Sequence, residues 1–302
     1  MSHFTPRYLK NGDTVGIVSP ARHISPDQVQ PTVTWLEKHG LKVELGPNMF
    51  NQLNQMAGSD SDKISDFQGF IDDPNIQAIL CSRGGYGSVR LLDQLDFQPV
   101  IDHKKWILGY SDITAIHSHV NAQFGIPTLH CTMPINITGS NNSDEISSNQ
   151  SLIDALFGRD LSYDLPQHPL NKSGNAKGSL VGGNLSMLYS LCGSNSDIST
   201  EGKILFLEDL DEYLYHIDRM MMNLKRTGKL KALSAIVIGG MSDMNDNTIP
   251  FGKNAFQIIS EHTQDYDYPI YFGLKAGHTQ PNLALRLGMN AHIRDNKLFL
   301  PA

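Results

Sequence analysis

A short apolar run, Trp106-Ile107-Leu108-Gly109-Tyr110, reaches Ser111, and helix-like spacing begins directly after it with Asp112-Ile113-Thr114-Ala115-Ile116-His117. Strand, sharp turn and helix in that order build a nucleophile elbow, which lifts a serine hydroxyl above a helix N-terminus. Gly109 supplies the missing Cβ that so tight a turn needs. The pattern is incomplete, because hydrolase elbows carry a second glycine two residues after the serine and this chain has Ile113 there. A Ser-Asp helix cap after a buried strand is the competing reading.

A neutral hydroxyl is a poor nucleophile, so catalysis needs a base, a group that orients the base, and donors for the oxyanion. Of the twelve histidines, His278 has the most informative setting. It follows Gly277 in a loop just past a strand, where α/β proteins place functional side chains; a plain turn histidine fits the segment equally. His117 and His119 are two apart on the helix after Ser111 and face different ways, which does not suit one shared metal. His39, His103, His168, His262 and His292 lie in polar or terminal stretches that read as surface. The orienting acid has a candidate in Ile204-Leu205-Phe206-Leu207-Glu208-Asp209, an apolar strand ending in two carboxylates. Glu208 continues the strand, whereas Asp209 suits an N-cap or turn, and strand-end acids also serve simply as caps. Ser111, Glu208 and His278 fall in the serine, acid, histidine order that α/β-hydrolase-like enzymes also show.

Ser82-Arg83-Gly84-Gly85-Tyr86-Gly87-Ser88 follows a further apolar run and leaves backbone amides open to an anion. It lacks the Lys-Ser/Thr of a phosphate-binding Walker loop. The glycines can instead offer an oxyanion amide at Gly85, paired with that of Asp112. Arg83 suits a substrate carboxylate or a salt bridge that holds the loop, and Arg22 is a second candidate for the carboxylate. The methionine run Met220-Met221-Met222 reads as core, because Leu210, Leu214, Ile217, Met221 and Leu224 follow the spacing of one buried helix face.

The elements that must position these residues alternate in the first half. Strands are predicted at 14–18, 41–45, 76–81 and 106–110, with helices over 27–38 and 60–72, the rhythm of a parallel sheet covered by helices. Residues 137–178 break it with Pro/Gly/Asn-rich stretches that read as a linker carrying one short helix near 151–157. A second block follows, with helices near 185–191 and 211–226 and strands at 203–207, 235–239, 269–274 and within 290–300. The expected fold class is α/β: an N-terminal parallel-sheet α/β domain (1–136), a linker (137–177) and a smaller, β-rich C-terminal α/β domain (178–302).

The 302 residues are 40% hydrophobic and 18% charged, with a net charge of -7, which argues against a nucleic-acid-binding surface. The N-terminus shows no apolar signal-peptide core, and no stretch approaches the roughly 20 apolar residues needed to span a bilayer. Three distant cysteines read as buried thiols in a reducing compartment, so a cytoplasmic protein with no membrane partner is expected.

Together these segments resemble the serine LD-carboxypeptidase family, which includes murein tetrapeptide carboxypeptidases and microcin C self-immunity peptidases. The resemblance runs through Gly12-Asp13-Thr14-Val15 with Ser19-Pro20-Ala21, the Ser82 to Gly87 loop, Gly109-Tyr110-Ser111-Asp112, Gly182-Gly183-Asn184-Leu185, Leu207-Glu208-Asp209, Tyr215-His216-Ile217-Asp218-Arg219, and Gly277-His278. It implies a triad of Ser111, Glu208 and His278, an active site between the two domains, no metal and no cofactor, and often a homodimer. Its substrate would be a small muropeptide losing a terminal D-alanine during cytoplasmic peptidoglycan recycling, with Arg83 and Asn184 among the substrate-binding residues. One departure is Arg286, where relatives often carry proline. The rival within the family is hydrolysis of a peptidyl- or aminoacyl-nucleotide by the same triad. A rival outside it is a binding module that grips an anion at the glycine loop.

Overall fold

The computed structural model describes residues 4–302. From the N-terminus the chain forms β1 (Thr14–Val18), α1 (Pro26–Lys38), β2 (Lys42–Leu45), α2 (Asp60–Asp72), β3 (Ile76–Cys81), α3 (Gln98–Asp102), β4 (Trp106–Gly109), α4 (Thr114–Phe124) and β5 (Thr128–His130). It continues with α5 (Ser143–Leu156), β6 (Leu161–Asp164), β7 (Ala176–Asn184), α6 (Leu185–Leu191), β8 (Ile204–Leu210), α7 (Leu214–Arg226), β9 (Ala235–Ser242), α8 (Ala255–Thr263), β10 (Ile270–Phe272), β11 (Leu285–Leu287), β12 (Asn290–Arg294) and β13 (Lys297–Leu300).

Two mixed sheets result. The first has six strands in the order β11-β5-β4-β3-β1-β2, and the second has seven in the order β10-β9-β8-β7-β12-β13-β6. β1 to β5 are mutually parallel, as are β7 to β10, because helices carry the chain back between them. Of the parallel strands, β3, β4 and β8 are almost wholly buried, whereas the edge strand β2 is largely exposed. Local chemistry starts the helices. At α2, Ser59 Oγ accepts the Asp62 N–H at 3.1 Å while Asp62 Oδ2 accepts the Ser59 N–H at 2.8 Å, a reciprocal capping box. On α7 the buried stripe is Ile217, Met220, Met221 and Leu224, whereas Leu210 lies in β8 and is exposed.

Residues 137–177 do more than link. They hold the fourteen-residue α5 and β6, which pairs antiparallel with β13 at the edge of the second sheet. The buried side of α5 mixes Leu152, Ile153 and Leu156 with Ser148, Asn149 and Ser151, so its core-facing stripe is masked by polar residues. The region 290–300 is a hairpin of β12 and β13, turning at Asp295 and Asn296 with φ of 53° and 54°, as a two-residue primed turn demands.

The cut at 137–177 also does not separate the sheets. β11, from within 178–302, pairs antiparallel with β5, placing Leu285 opposite His130 and Arg286 opposite Leu129. Arg286 is fully buried there and donates to the carbonyls of Leu300 (2.9 Å), Ala155 (3.1 Å) and Arg159 (2.7 Å), with its guanidinium 5.3 Å from the Tyr8 ring. Arg286 thus ties α5, β11 and β13 together. One apolar cluster runs through both halves, from Leu9 and Val15 to Leu298 and Leu300. Among the described residues no helix is long and apolar enough to cross a membrane.

Candidate active site

The loops after β3 and β4 and the end of β8 meet at the seam between the sheets, the carboxyl ends of parallel strands where such folds hold ligands. β4 ends at Gly109 with φ of 153°, Tyr110 is extended, and Ser111 takes φ of 65°. A serine there carries strain of order 1 kcal/mol or more, which the packing around it must sustain. Ile113 explains how the elbow does without a second glycine. A Cβ on Gly109 would lie 2.9 Å from Ile113 Cγ1, so the small residue sits before the serine and the bulky one after it.

The glycine loop is pressed against Ser111. A Cβ on Gly84 would fall 2.9 Å from Ser111 Cβ, 3.0 Å from Ser111 Oγ and 3.2 Å from the Asp112 nitrogen. The Asp112 side chain, only 2% exposed, fastens this contact: Oδ2 accepts the Ser88 N–H at 2.9 Å, and Ser88 Oγ donates to the Asp112 carbonyl at 2.6 Å. Burial raises the Asp112 pKa against the pull of those hydrogen bonds. The Asp112 amide lies in the first turn of a helix, where N–H groups have no intrahelical acceptor.

Arg22 and Arg83 flank that loop. A Cβ on Gly85 would come within 2.5 Å of Arg22 Cδ, and Arg83 Nη1 donates to the His23 carbonyl at 3.0 Å. Burial, then the neighbouring charge of Arg22, lowers the Arg83 pKa. Among the described residues neither guanidinium forms a salt bridge with a carboxylate, so the salt-bridge alternative for Arg83 has no counterpart here.

Seventy residues apart in sequence, Glu208 and His278 form the other half. Glu208 Oε2 accepts from His278 Nδ1 at 2.6 Å and from the His278 backbone N–H at 3.0 Å. Glu208 is fully buried, and the His278 side chain keeps 12% of its surface. Burial alone would raise the carboxyl pKa, but the charge and hydrogen bond of His278 reverse this and hold it below the ordinary value. Burial alone would lower the imidazole pKa, and Glu208 reverses that too, so His278 ends above 6.5. Gly277 is needed here: its φ is 89°, and a Cβ would meet Glu208 Cγ and Oε2 at 2.5 Å.

Tyr110 joins the halves, its ring centroid 4.9 Å from that of His278 and its hydroxyl donating to Asn136 Oδ1 at 3.1 Å. Burial and then the Glu208 charge push its pKa up to about 12, so it remains a phenol. Ser111 Oγ and His278 make no hydrogen bond to each other in this structure, although they occupy adjoining loops. A hollow of about 340 Å³, lined by Tyr110, Thr132, Asn136, Ser148, Thr279 and Gln280 among others, opens beside them. Larger hollows, of about 630 and 690 Å³, lie away from these residues.

Other expected positions differ. Asn184 is 5% exposed and caps α6: Oδ1 accepts from Ser186 Oγ (2.8 Å) and the Met187 N–H (3.2 Å), while Nδ2 donates to Asp209 Oδ1 (2.8 Å). Its amide oxygen and one of its two N–H groups are committed to the fold. Asp209 lies within β8 and also accepts the Ser186 N–H at 2.8 Å, bracing α6 instead of capping α7. Burial, then the Glu208 charge, pushes it up to about 7. His117 is held by the Gly109 carbonyl at 2.9 Å, His119 by Ser196 Oγ at 2.9 Å, and His262, read as surface, is 6% exposed and bonded to Asp218 at 2.8 Å. His130, which no sequence motif marks, ends β5 beside this centre.

Residues 15–131 match the LD-carboxypeptidase N-terminal domain and residues 177–293 the LD-carboxypeptidase C-terminal domain. A probable murein peptide carboxypeptidase of Bacillus subtilis is 34% identical over 296 residues, covering 96% of this chain and 91% of that protein. The chain belongs to the LD-carboxypeptidase family. As an LD-carboxypeptidase it is a serine-type hydrolase. The murein tetrapeptide carboxypeptidase of Pseudomonas aeruginosa is 28% identical, covering 94% of each chain. Among solved structures, the muramoyltetrapeptide carboxypeptidase of Oxalobacter formigenes superposes with a TM-score of 0.84 at 25% identity, covering 95% of this chain and 97% of that one. The microcin C7 self-immunity protein shares the fold, with a TM-score of 0.88 at 24% identity, covering 99% and 98%.

Proposed function

We propose that this LD-carboxypeptidase uses Ser111, Glu208 and His278 as a triad to release terminal D-alanine from murein tetrapeptides in cytoplasmic peptidoglycan recycling. The observation that carries the reading is the 2.6 Å Glu208–His278 bond, packed against Tyr110, the residue next to the strained Ser111. His278 takes the hydroxyl proton as Ser111 attacks the carbonyl, and the buried Glu208 charge stabilises the imidazolium that forms. The Asp112 and Gly85 amides face the developing oxyanion. The amine of D-alanine leaves with the proton from His278, and water hydrolyses the acyl-enzyme by the same base.

Arg83 and Arg22, both without a carboxylate partner, suit the free carboxylate that distinguishes a carboxypeptidase substrate. The hydroxyl- and amide-lined hollow beside Tyr110 suits the peptide stem on the other side of the scissile bond. Incubation with L-Ala-γ-D-Glu-meso-diaminopimelate-D-Ala, followed by mass spectrometry, tests the proposal. Release of D-alanine by the wild type and not by Ser111→Ala is expected. No release from folded wild type would overturn the murein assignment and move the search to peptidyl-nucleotide substrates.

A further inference from the structure

Beside the acid lie three buried polar groups of complementary chemistry. Among the described residues, Glu208 Oε1, both ring nitrogens of His130 and Asn282 Nδ2 are closed off from solvent and make no hydrogen bond. Buried polar groups in folded proteins are ordinarily paired, so their common location is informative. His130 meets the Phe206 ring edge-on at 5.1 Å. Glu208 stands two residues beyond Phe206 on β8, where the register with β9 shifts, and lies close enough to His130 for their charges to act on each other. On its other side His130 lies 5.7 Å from the Tyr110 ring, which in turn packs on His278. Asn282 adjoins His130, and its Oδ1 holds the Gly277 N–H at 2.8 Å.

The donors and acceptors match. Glu208 Oε2 is taken by His278, leaving Oε1 with lone pairs and no donor. A neutral imidazole has one N–H to give and one nitrogen to receive, and Asn282 Nδ2 has N–H to give. We propose that His130 is a positioning residue for the catalytic acid, giving its ring N–H to Glu208 Oε1 and accepting from Asn282. The groups are not hydrogen-bonded in this structure, and the link closes directly or through one bridging water. The carboxylate would then be held at both oxygens, with Oε2 fixed on His278. This inference rests on the triad reading above.

Burial pushes the His130 pKa down to about 3, so the ring stays neutral and serves as donor to Glu208 rather than as a second base. The titratable groups facing it are Glu208 from β8, His278 from its loop, His117 from α4, and Tyr110 after β4, with Cys131 next in chain. His278 itself faces Glu208, Asp209 and Asp243. A carboxylate deprived of a donor becomes more basic and draws the His278 proton more strongly, so its loss should raise the His278 pKa.

The test uses the full chain as wild type, His130→Phe and His130→Gln. Phenylalanine keeps an aromatic ring between Phe206 and Tyr110 and removes the donor; glutamine keeps a donor. NMR titration of 15N-labelled histidines without substrate, and the pH profile of D-alanine release, are the two readouts. Expected for His130→Phe are a kcat lower by about 10–100-fold, the range for groups that orient another functional group, an unchanged KM, and a His278 pKa and acid limb displaced upward together. His130→Gln should retain most of the activity and the wild-type limb. In the wild type, the His130 ring should stay neutral with one hydrogen-bonded N–H across the active pH range, a readout that needs no variant to fold. A titrating His130, or a folded His130→Phe with unaltered His278 titration, would overturn the proposal. Wild type that releases no D-alanine sinks the substrate reading instead, and the substrate-free titration still decides the role of His130.

Discussion

On the Ser111 side of the seam, atoms are placed by backbone: Gly109 at φ 153°, Ser111 at φ 65°, and Gly84 so close that a methyl group would touch the hydroxyl. On the acid–base side they are placed by charge, a fully buried carboxylate and an imidazole 2.6 Å apart, each reversing what burial alone would do to the other. The first half is set sterically and has no titratable group at its working atoms. The second stores its organisation in protonation states. Shape should therefore limit one half and pH the other.

The largest expected effect is on the nucleophile itself. Ser111→Ala should lower the rate of D-alanine release by about 10⁶-fold, as removal of a triad serine does elsewhere, with binding of peptide largely kept. Glu208→Gln should cost about 10⁴-fold. It should also move the acid limb of kcat/KM. The wild-type limb is expected above 6.5, because His278 must lose its proton to act as base; without the Glu208 charge, burial prevails and the residual limb falls. A limb that stays in place would break the division drawn above.

Glycine substitutions probe the steric side. Gly84→Ala, whose Cβ would press on Ser111 Oγ and the Asp112 amide, should reduce kcat by about 10²–10³-fold, as misplacing an oxyanion donor does, with no shift in the pH profile. Gly277→Ala crosses the comparison, because its Cβ would strike Glu208 Oε2; it should impair activity and displace the limb together. Arg83→Met should raise KM about tenfold or more for peptides with a free carboxylate, equivalent to about 1.4 kcal/mol per decade, and leave amidated peptides unaffected.

The smallest effect is on stability. Asp209 and His278 both have folded-state values above their ordinary ones, so their contribution is present at pH below the ordinary values of 3.8 and 6.5 and is lost as pH rises through about 7 for Asp209 and through the raised value for His278. Between pH values of about 7 and 9, above the range in which the buried, neutral His117 and His130 add stability with rising pH, the melting temperature should fall by a degree or two, roughly. Asp209→Asn should flatten that slope, and an unchanged slope would assign the pH dependence to His278 alone.

Much of the fold was legible wherever local pattern and tertiary role agree. β1, β3, α2 and α6 begin and end where apolar runs, caps and spacing place them. Of α5 only the C-terminal half was, as the short helix near 151–157, because Ser148, Asn149 and Ser151 face the core where a hydrophobic stripe is looked for. Three-residue β11 carries no periodicity of its own and exists through its pairing with β5. His262 looked exposed in a polar stretch, and its burial against Asp218 comes from helix packing.

By itself the sequence determined the elbow, since Gly109, Ser111 and Ile113 interact within one turn and steric rules act at that range. It also determined that a glycine loop follows β3 and that an acid ends an apolar strand. Only the tertiary structure decided which acid serves which histidine. Glu208 and Asp209 are neighbours on one strand, yet their side chains leave opposite faces; one meets His278 and the other braces α6 through Asn184 and Ser186. The same packing turned Asn184 from a candidate ligand into a cap and set His130 beside the acid. Hydrogen bonds and buried charges act over a few ångströms in space, and only folding brings residues seventy positions apart within that distance.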